Sequence, residues 1–147
     1  MIERTPPQPS APGLIITAPL SAARHIQADA RWLITRKNID QAVIGITWVP
    51  ELAPSQALFN RYMDEWRGNS KNYWPLYVDR FQEELKTEEK LKALRTLWRL
   101  TAQGKTVLLL CYCPRPEHCH RSLVGEFLKA HGANVQEFTP QQAGLFE

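Results

Sequence analysis

The first apolar stretch, Leu14-Ile15-Ile16, is short, rich in β-branched residues and stopped by Pro19, a pattern that predicts a buried strand. Ser21 can cap the next element. Over residues 22–34 the apolar positions Ile26, Ala30, Leu33 and Ile34 recur at helical spacing with Arg24, Gln27 and Arg31 between them, which predicts an amphipathic helix. Residues 42–49 are again β-branched (Val43, Ile44, Ile46, Thr47), with Gly45 as a bulge and Pro50 as the stop, and predict a second strand. Pro54-Ser55 then opens a helix whose apolar face is Leu58, Tyr62 and Trp66, broken at Gly68-Asn69-Ser70. A third helical stretch runs from Pro75 through Phe81 and Leu85. Thr87 caps a fourth, in which Glu88 and Glu89 suit the positive end of the dipole and Leu91, Leu94, Leu97 and Trp98 form the stripe before Gly104.

The clearest element spans 106–112, where Val107-Leu108-Leu109-Leu110-Cys111 is an unbroken apolar run of the kind found in a strand covered on both faces. After a loop, Leu123, Val124, Phe127 and Leu128 make a helical stripe ending at Gly132, and residues 135–138 predict a last strand. Strand, helix and strand in that order form a βαβ unit. The expected fold class is therefore α/β: a single three-layer domain with a small, mostly parallel sheet flanked by helices. Residues 1–12, with Pro6, Pro7, Pro9 and Pro12, form a proline-rich arm; residues 13–138 form the domain, and 139–147 a tail peptide.

Composition narrows this picture without redirecting it. At 147 residues, 44% hydrophobic and 22% charged, the chain has the content of one domain that builds a core without disulfides or structural metal. Eighteen Lys+Arg against fifteen Asp+Glu leave +3, mildly basic and short of a dedicated polyanion binder. The expectation is a cytoplasmic protein, since no secretory signal or apolar membrane-spanning run is evident and the cysteines are not a disulfide framework. No cofactor is expected.

All three cysteines fall within Cys111-Tyr112-Cys113-Pro114-Arg115-Pro116-Glu117-His118-Cys119-His120-Arg121-Ser122, at the carboxyl end of the inner strand, where ligands of parallel sheets usually bind. One reading is nucleophilic catalysis by a thiolate whose pKa is lowered by Arg121 and the N-terminus of the next helix. Against it, the phosphatase and rhodanese cradle places five residues between Cys and Arg, whereas seven separate Cys113 from Arg121 and one separates Cys119 from it. A second reading, metal binding by Cys111, Cys113, Cys119, His118 and His120, has suitable ligand types but lacks the two-residue knuckle gap and a second ligand pair, so no metal is expected. The third is anion recognition, with Arg121 and Ser122 in the first turn of a helix, assisted by His120 and Arg115, holding a phosphate or carboxylate. This asks least of the geometry and is the expectation: Arg121 aimed outward, free to meet a ligand. In the scaffold-only alternative, Cys111 and Cys119 fill the core, His120 satisfies a buried carbonyl, and Arg121 pairs with Glu117 or Glu126.

The run Trp48-Val49-Pro50-Glu51-Leu52-Ala53-Pro54-Ser55, the Tyr77-Val78-Asp79-Arg80-Phe81 helix and the strand ending in Cys111 followed by Cys119-His120-Arg121 together resemble the domain-of-unknown-function family 488. The resemblance covers residues 48–132, with a weaker likeness around Ile34-Thr35-Arg36. It implies a small cytoplasmic prokaryotic α/β domain whose activity is not established. Its site would be carried by Cys111, Cys119 and His120 as reactive groups and by Arg121, with Arg36 matching an arginine that members often carry after an early strand. The Cys113 position is more often acidic in that family, which argues against a mechanism dependent on this thiol.

Two further features bear on partners. Gln142-Ala143-Gly144-Leu145-Phe146 resembles the bacterial sliding-clamp-binding peptide: Leu145 and Phe146 would fill an apolar pocket and the Gln142 amide would bond at its edge. Trp66, Tyr73, Trp74 and Tyr77 are interleaved with Arg61, Arg67, Lys71 and Arg80, a mixture able to stack bases and track phosphates, though more often core plus solvated rim. The function expected from the sequence is thus binding of a nucleotide or nucleic-acid phosphate in DNA maintenance. A cysteine enzyme acting on a phosphate- or sulfur-containing substrate, and a non-enzymatic adaptor recruited to the clamp, are the alternatives.

Overall fold

In the computed structural model the described residues are 13–37, 45–113, 117 and 119–139. Five parallel strands form one sheet: β1 (Leu14–Pro19), β2 (Ala30–Leu33), β3 (Thr47–Trp48), β4 (Thr106–Cys111) and β5 (Val135–Glu137), in the order β3-β2-β4-β1-β5. The expected single α/β domain is observed, with the apolar run at its centre. β4 pairs with β1 along its whole length, from Leu14↔Thr106 to Pro19↔Cys111, and with β2 from Ala30↔Val107 to Leu33↔Leu110.

The α-helices are α1 (Gln56–Arg61), α2 (Ser70–Glu84), α3 (Glu88–Ala102) and α4 (His120–Ala130). Their buried residues, among them Leu58, Phe81, Leu94, Leu97, Val124 and Leu128, and Leu85 just past the end of α2 pack with Ile15, Val107 and Leu109 on one face of the sheet. Leu33, Leu108 and Leu110 point to the other face, where Ala22, Ala23 and Ile26 of a 3-10 segment (Leu20–His25) and its exit cover them. Alternation along β4 thus serves two cores, which is why it carries no polar position between Val107 and Cys111. Among the described residues no helix is long and apolar enough to cross a membrane.

The helix expected over 22–34 is absent. In its place stand the 3-10 segment and β2, because the Asp29 carboxylate accepts the Thr106 N–H at 2.8 Å while the Asp29 N–H donates to the Thr106 carbonyl at 2.8 Å. This clamp aligns the start of β2 with the start of β4, and ladder bonds then outweigh a local helical pattern. The second strand is shorter than its pattern: β3 holds Thr47 and Trp48, Gly45 is a left-handed turn residue (φ 85°) rather than a bulge, and positions 42–44 lie outside the described residues. Helix α2 begins five residues before Pro75, its opening turns held by the stacking of Tyr73 on Trp66 and of Trp74 on Tyr77, with centroids 5.7 and 4.9 Å apart.

Ser55 caps α1 as expected, its Oγ accepting the Leu58 N–H at 3.2 Å while donating to Glu84 Oε2 at 2.5 Å. Beyond α1 the chain widens into a π-type turn (Tyr62–Trp66) and a 3-10 turn (Arg67–Asn69) before α2. This change of pitch turns Tyr62, Met63 and Arg67 towards one opening.

Candidate functional site

β4 delivers Cys111, buried, to the carboxyl edge of the sheet, and the chain returns to the same edge at Cys119, the N-cap residue of α4. The extended backbone of Cys119 lets its carbonyl accept both the Ser122 N–H (3.1 Å) and the Ser122 hydroxyl (2.7 Å), closing the helix entry. Ser122 therefore serves the helix; it does not line the cleft in front of the thiols.

Arg121 departs most from expectation. Its side chain is turned inward and fully buried. Nε and Nη2 donate to the two carboxylate oxygens of Glu137 on β5 at 3.2 and 2.9 Å, and Nη1 donates to the Cys113 carbonyl at 2.6 Å and reaches the Cys111 sulfur at 3.0 Å. The partner acid is Glu137, not Glu117 or Glu126. An arginine so enclosed cannot receive an outside phosphate, and the anion-binding role assigned to it is corrected: it braces the thiols from beneath. Burial works against its charge, but the Glu137 carboxylate and the neighbouring sulfurs outweigh that and hold it firmly protonated.

Above Arg121 the sulfurs of Cys111 and Cys119 stand 2.9 Å apart, and all three cysteine sulfurs lie within 4.8 Å of one another. Cys111 and Cys119 are buried, Cys113 exposed. Hydrogen bonds from the Cys111 and Cys119 thiols, with His120 and Arg121 nearby, pull the Cys113 thiol well below the usual range against the cost of its partial burial. The same bonds, given away, push Cys119 up and Cys111 to about 11. The thiol pulled down is thus the one whose sulfur solvent can reach. Cys113, discounted in favour of Cys111 and Cys119, is the accessible thiol of the group.

Three sulfurs could also hold a thiophilic ion, and among the described residues no imidazole or carboxylate joins them. Two sulfurs on one tetrahedral zinc at about 2.3 Å each stand about 3.8 Å apart. The Cys111–Cys119 contact is closer than that.

His120, in the first turn of α4, bonds through Nε2 to the Ile34 carbonyl and meets the Phe81 ring edge-on at 5.9 Å. The carbonyl fixes the tautomer, leaving Nδ1 as the acceptor. Burial lowers its pKa, opposed by the Ile34 carbonyl and by Cys113.

The thiols open into a cleft of about 510 Å³. Buried Cys111, Cys119, Tyr77 and Pro54 form its floor, and exposed Lys37, Met63 and Arg67 its rim. Tyr62 and Tyr77 meet edge to face at 5.2 Å, and Lys37 lies over the Phe59 ring at 5.8 Å. Arg36 lines the cleft with Nε and Nη2 committed to the Pro54 and Pro50 carbonyls, both at 3.0 Å. No carboxylate lines it among the described residues, so Arg36, Lys37 and Arg67 set a positive field over an otherwise apolar hollow.

Of the expected site residues, Cys111, Cys119, His120 and Arg36 meet at this cleft and Arg121 lies behind it; Arg115, His118, Gln142, Leu145 and Phe146 lie outside the described residues. The proposed base-stacking aromatics are largely spent on each other, with Trp66 and Tyr77 buried. Glu137 escaped the sequence reading, although its signal was there: it shares a strand face with Val135, and an acid on the inward face of a strand needs a buried cation. Tyr62, Met63 and Arg67 had no such signal, because their convergence depends on the π-type turn.

Among curated proteins and among solved structures, none matches the chain. A family model described as "Active DUF488-N3 subclade" matches residues 6–132. With most of its length inside that match, the chain belongs to the DUF488 family.

Proposed function

We propose that this protein is a cysteine-dependent enzyme whose cleft takes a small phosphate-bearing ligand with an apolar or aromatic body, of the nucleotide class. The observation that carries this reading is Cys113: an accessible sulfur at the mouth of the cleft, within 4.8 Å of two buried thiol sulfurs, with the buried Arg121 guanidinium on its carbonyl and on the Cys111 sulfur. A thiolate is the nucleophilic form of cysteine, and nothing in a purely structural cluster requires it to face an opening. The family description, which calls this subclade active, supports an enzymatic role over a scaffold.

The ligand class follows from the lining. Arg36, Lys37 and Arg67 favour an anion near the rim, while Phe59, Tyr62, Met63 and Tyr77 favour an uncharged body that reaches towards the sulfurs. Phosphate recognition in this reading falls to those rim cations instead of Arg121 and Ser122. Cys113 attacks the ligand's electrophilic centre, the sulfur bond forming as the bond to the leaving group breaks and that group departs with its electron pair; water then displaces the thiolate and gives its proton to Nδ1 of neutral His120.

Alkylation of the reduced protein by iodoacetamide in the presence of a chelator tests the thiolate. Cys113 should react at pH 6 about tenfold or more faster than free cysteine, which is mostly protonated there, and a nucleoside monophosphate should slow the reaction in a salt-sensitive manner. A Cys113 rate no greater than that of free cysteine would overturn the reading.

A further inference from the structure

Covalent chemistry at Cys113 makes and breaks bonds at one sulfur and leaves two others, buried and in contact, unreacted. The geometry points to a reversible oxidation site: Cys113 takes the oxidising hit from a hydroperoxide, and Cys119 resolves it as an intramolecular disulfide that closes the thiolate off. This rests on the reading of Cys113 as an accessible thiolate, and adds a regulation of the same site.

Three observations carry it. Cys113 is the exposed member, so a small oxidant meets it first. The other two sulfurs lie within 4.8 Å of it and of each other, close enough for a disulfide after a modest side-chain rotation. Cys119 sits across the loop at the N-cap of α4, whereas Cys111 lies two residues before Cys113 and is held by Arg121 Nη1 at 3.0 Å. Cys119, at 3.8 Å from the same nitrogen, is the less tethered partner.

The steps balance. The Cys113 thiolate attacks the terminal oxygen of the hydroperoxide; the S–O bond forms, the O–O bond breaks, and the departing alkoxide leaves as the alcohol once it takes up a proton. Cys113 is then a sulfenic acid, oxidised by two electrons. The Cys119 sulfur attacks the sulfenic sulfur, the S–O bond breaks, and the hydroxide departs with the Cys119 proton as water, leaving the Cys113–Cys119 disulfide. A dithiol reductant restores both thiols by exchange.

The test treats reduced protein with equimolar hydrogen peroxide in the presence of dimedone, alkylates what remains, and maps the peptides. A Cys113–Cys119 disulfide with alkylated Cys111 and no dimedone adduct is expected, and Cys119→Ser should instead trap dimedone on Cys113. Should Cys119→Ser not fold, disulfide mapping of the unaltered chain decides alone. A wild-type Cys113 that accumulates the dimedone adduct, or that stays alkylatable while Cys111 and Cys119 join, would overturn the proposal. Fast alkylation at pH 6 together with either result leaves the enzymatic reading standing; slow alkylation removes that reading first.

Discussion

Arg121 Nη2 lies 2.9 Å from Glu137 Oε2, so the first turn of α4 is tied to the last strand of the sheet by an ion pair whose cation has no solvent contact. Thr17, on β1, adds its hydroxyl to Glu137 Oε1 at 2.6 Å, making the carboxylate the meeting point of two strands and a helix. Removing the cation leaves that acid unpaired and the thiols unbraced. Arg121→Met should cost about 3 kcal/mol or more in urea unfolding, while Thr17→Val, which removes one neutral donor, should cost about 1 kcal/mol.

Protonation of His120 gives a pH dependence with a definite sign. Burial holds its folded-state pKa below the ordinary 6.5. Its contribution to stability is therefore complete above pH 6.5 and is lost as the pH falls through the folded value, because only the unfolded chain binds the proton readily in that interval. Unfolding free energy measured from pH 8 down to pH 5 should decline, and His120→Gln, which keeps a donor for the Ile34 carbonyl but cannot titrate, should flatten that decline.

Lys90 is buried at 3% exposure with Nζ on the Glu51 and Ala53 carbonyls at 2.9 and 2.5 Å. With Arg36, which takes the Pro50 and Pro54 carbonyls, it holds the turn that leads to one wall of the cleft. Lys90→Met keeps the stem's packing but strands two carbonyls, so denaturant unfolding should show a loss of about 2 kcal/mol or more. Nucleotide protection of Cys113 should weaken in the same variant.

The tail Gln142-Ala143-Gly144-Leu145-Phe146-Glu147 is proposed to dock on a bacterial sliding clamp. Deleting residues 142–147 should abolish binding to the clamp in surface-based or fluorescence titration while leaving the Cys113 alkylation rate unchanged. Clamp affinity that survives the deletion would dispose of the tail's role and leave the cleft untouched.

The elements best legible in the sequence were those with a single strong signal. Leu108 and Leu110 face one core and Val107 and Leu109 the other, so β4 could be read as central from its composition alone. Glu88 and Glu89 marked the start of α3 by dipole chemistry that operates within one turn, whereas Thr87, at the N-cap position, gives its hydroxyl to the Glu84 carbonyl and makes no side-chain cap. Residues 22–34 misled because Ile26, Ala30, Leu33 and Ile34 fit a helical period as well as a turn and a strand, and the deciding bonds run to Thr106, far along the chain.

The sequence by itself determined that a parallel α/β sheet would carry its cysteines at the carboxyl end of its inner strand, because apolar runs, breakers and caps act over a few residues and those residues are adjacent in the chain. Only the tertiary structure decided which way the chemistry faces. Arg121 turns inward because Glu137, sixteen residues later, is brought beneath it by β5 pairing with β1. Cys113 turns outward because its two thiol partners converge from a strand end and a helix cap and fill the space below. Charge pairing and burial are properties of three-dimensional neighbours, and no local spacing encodes them.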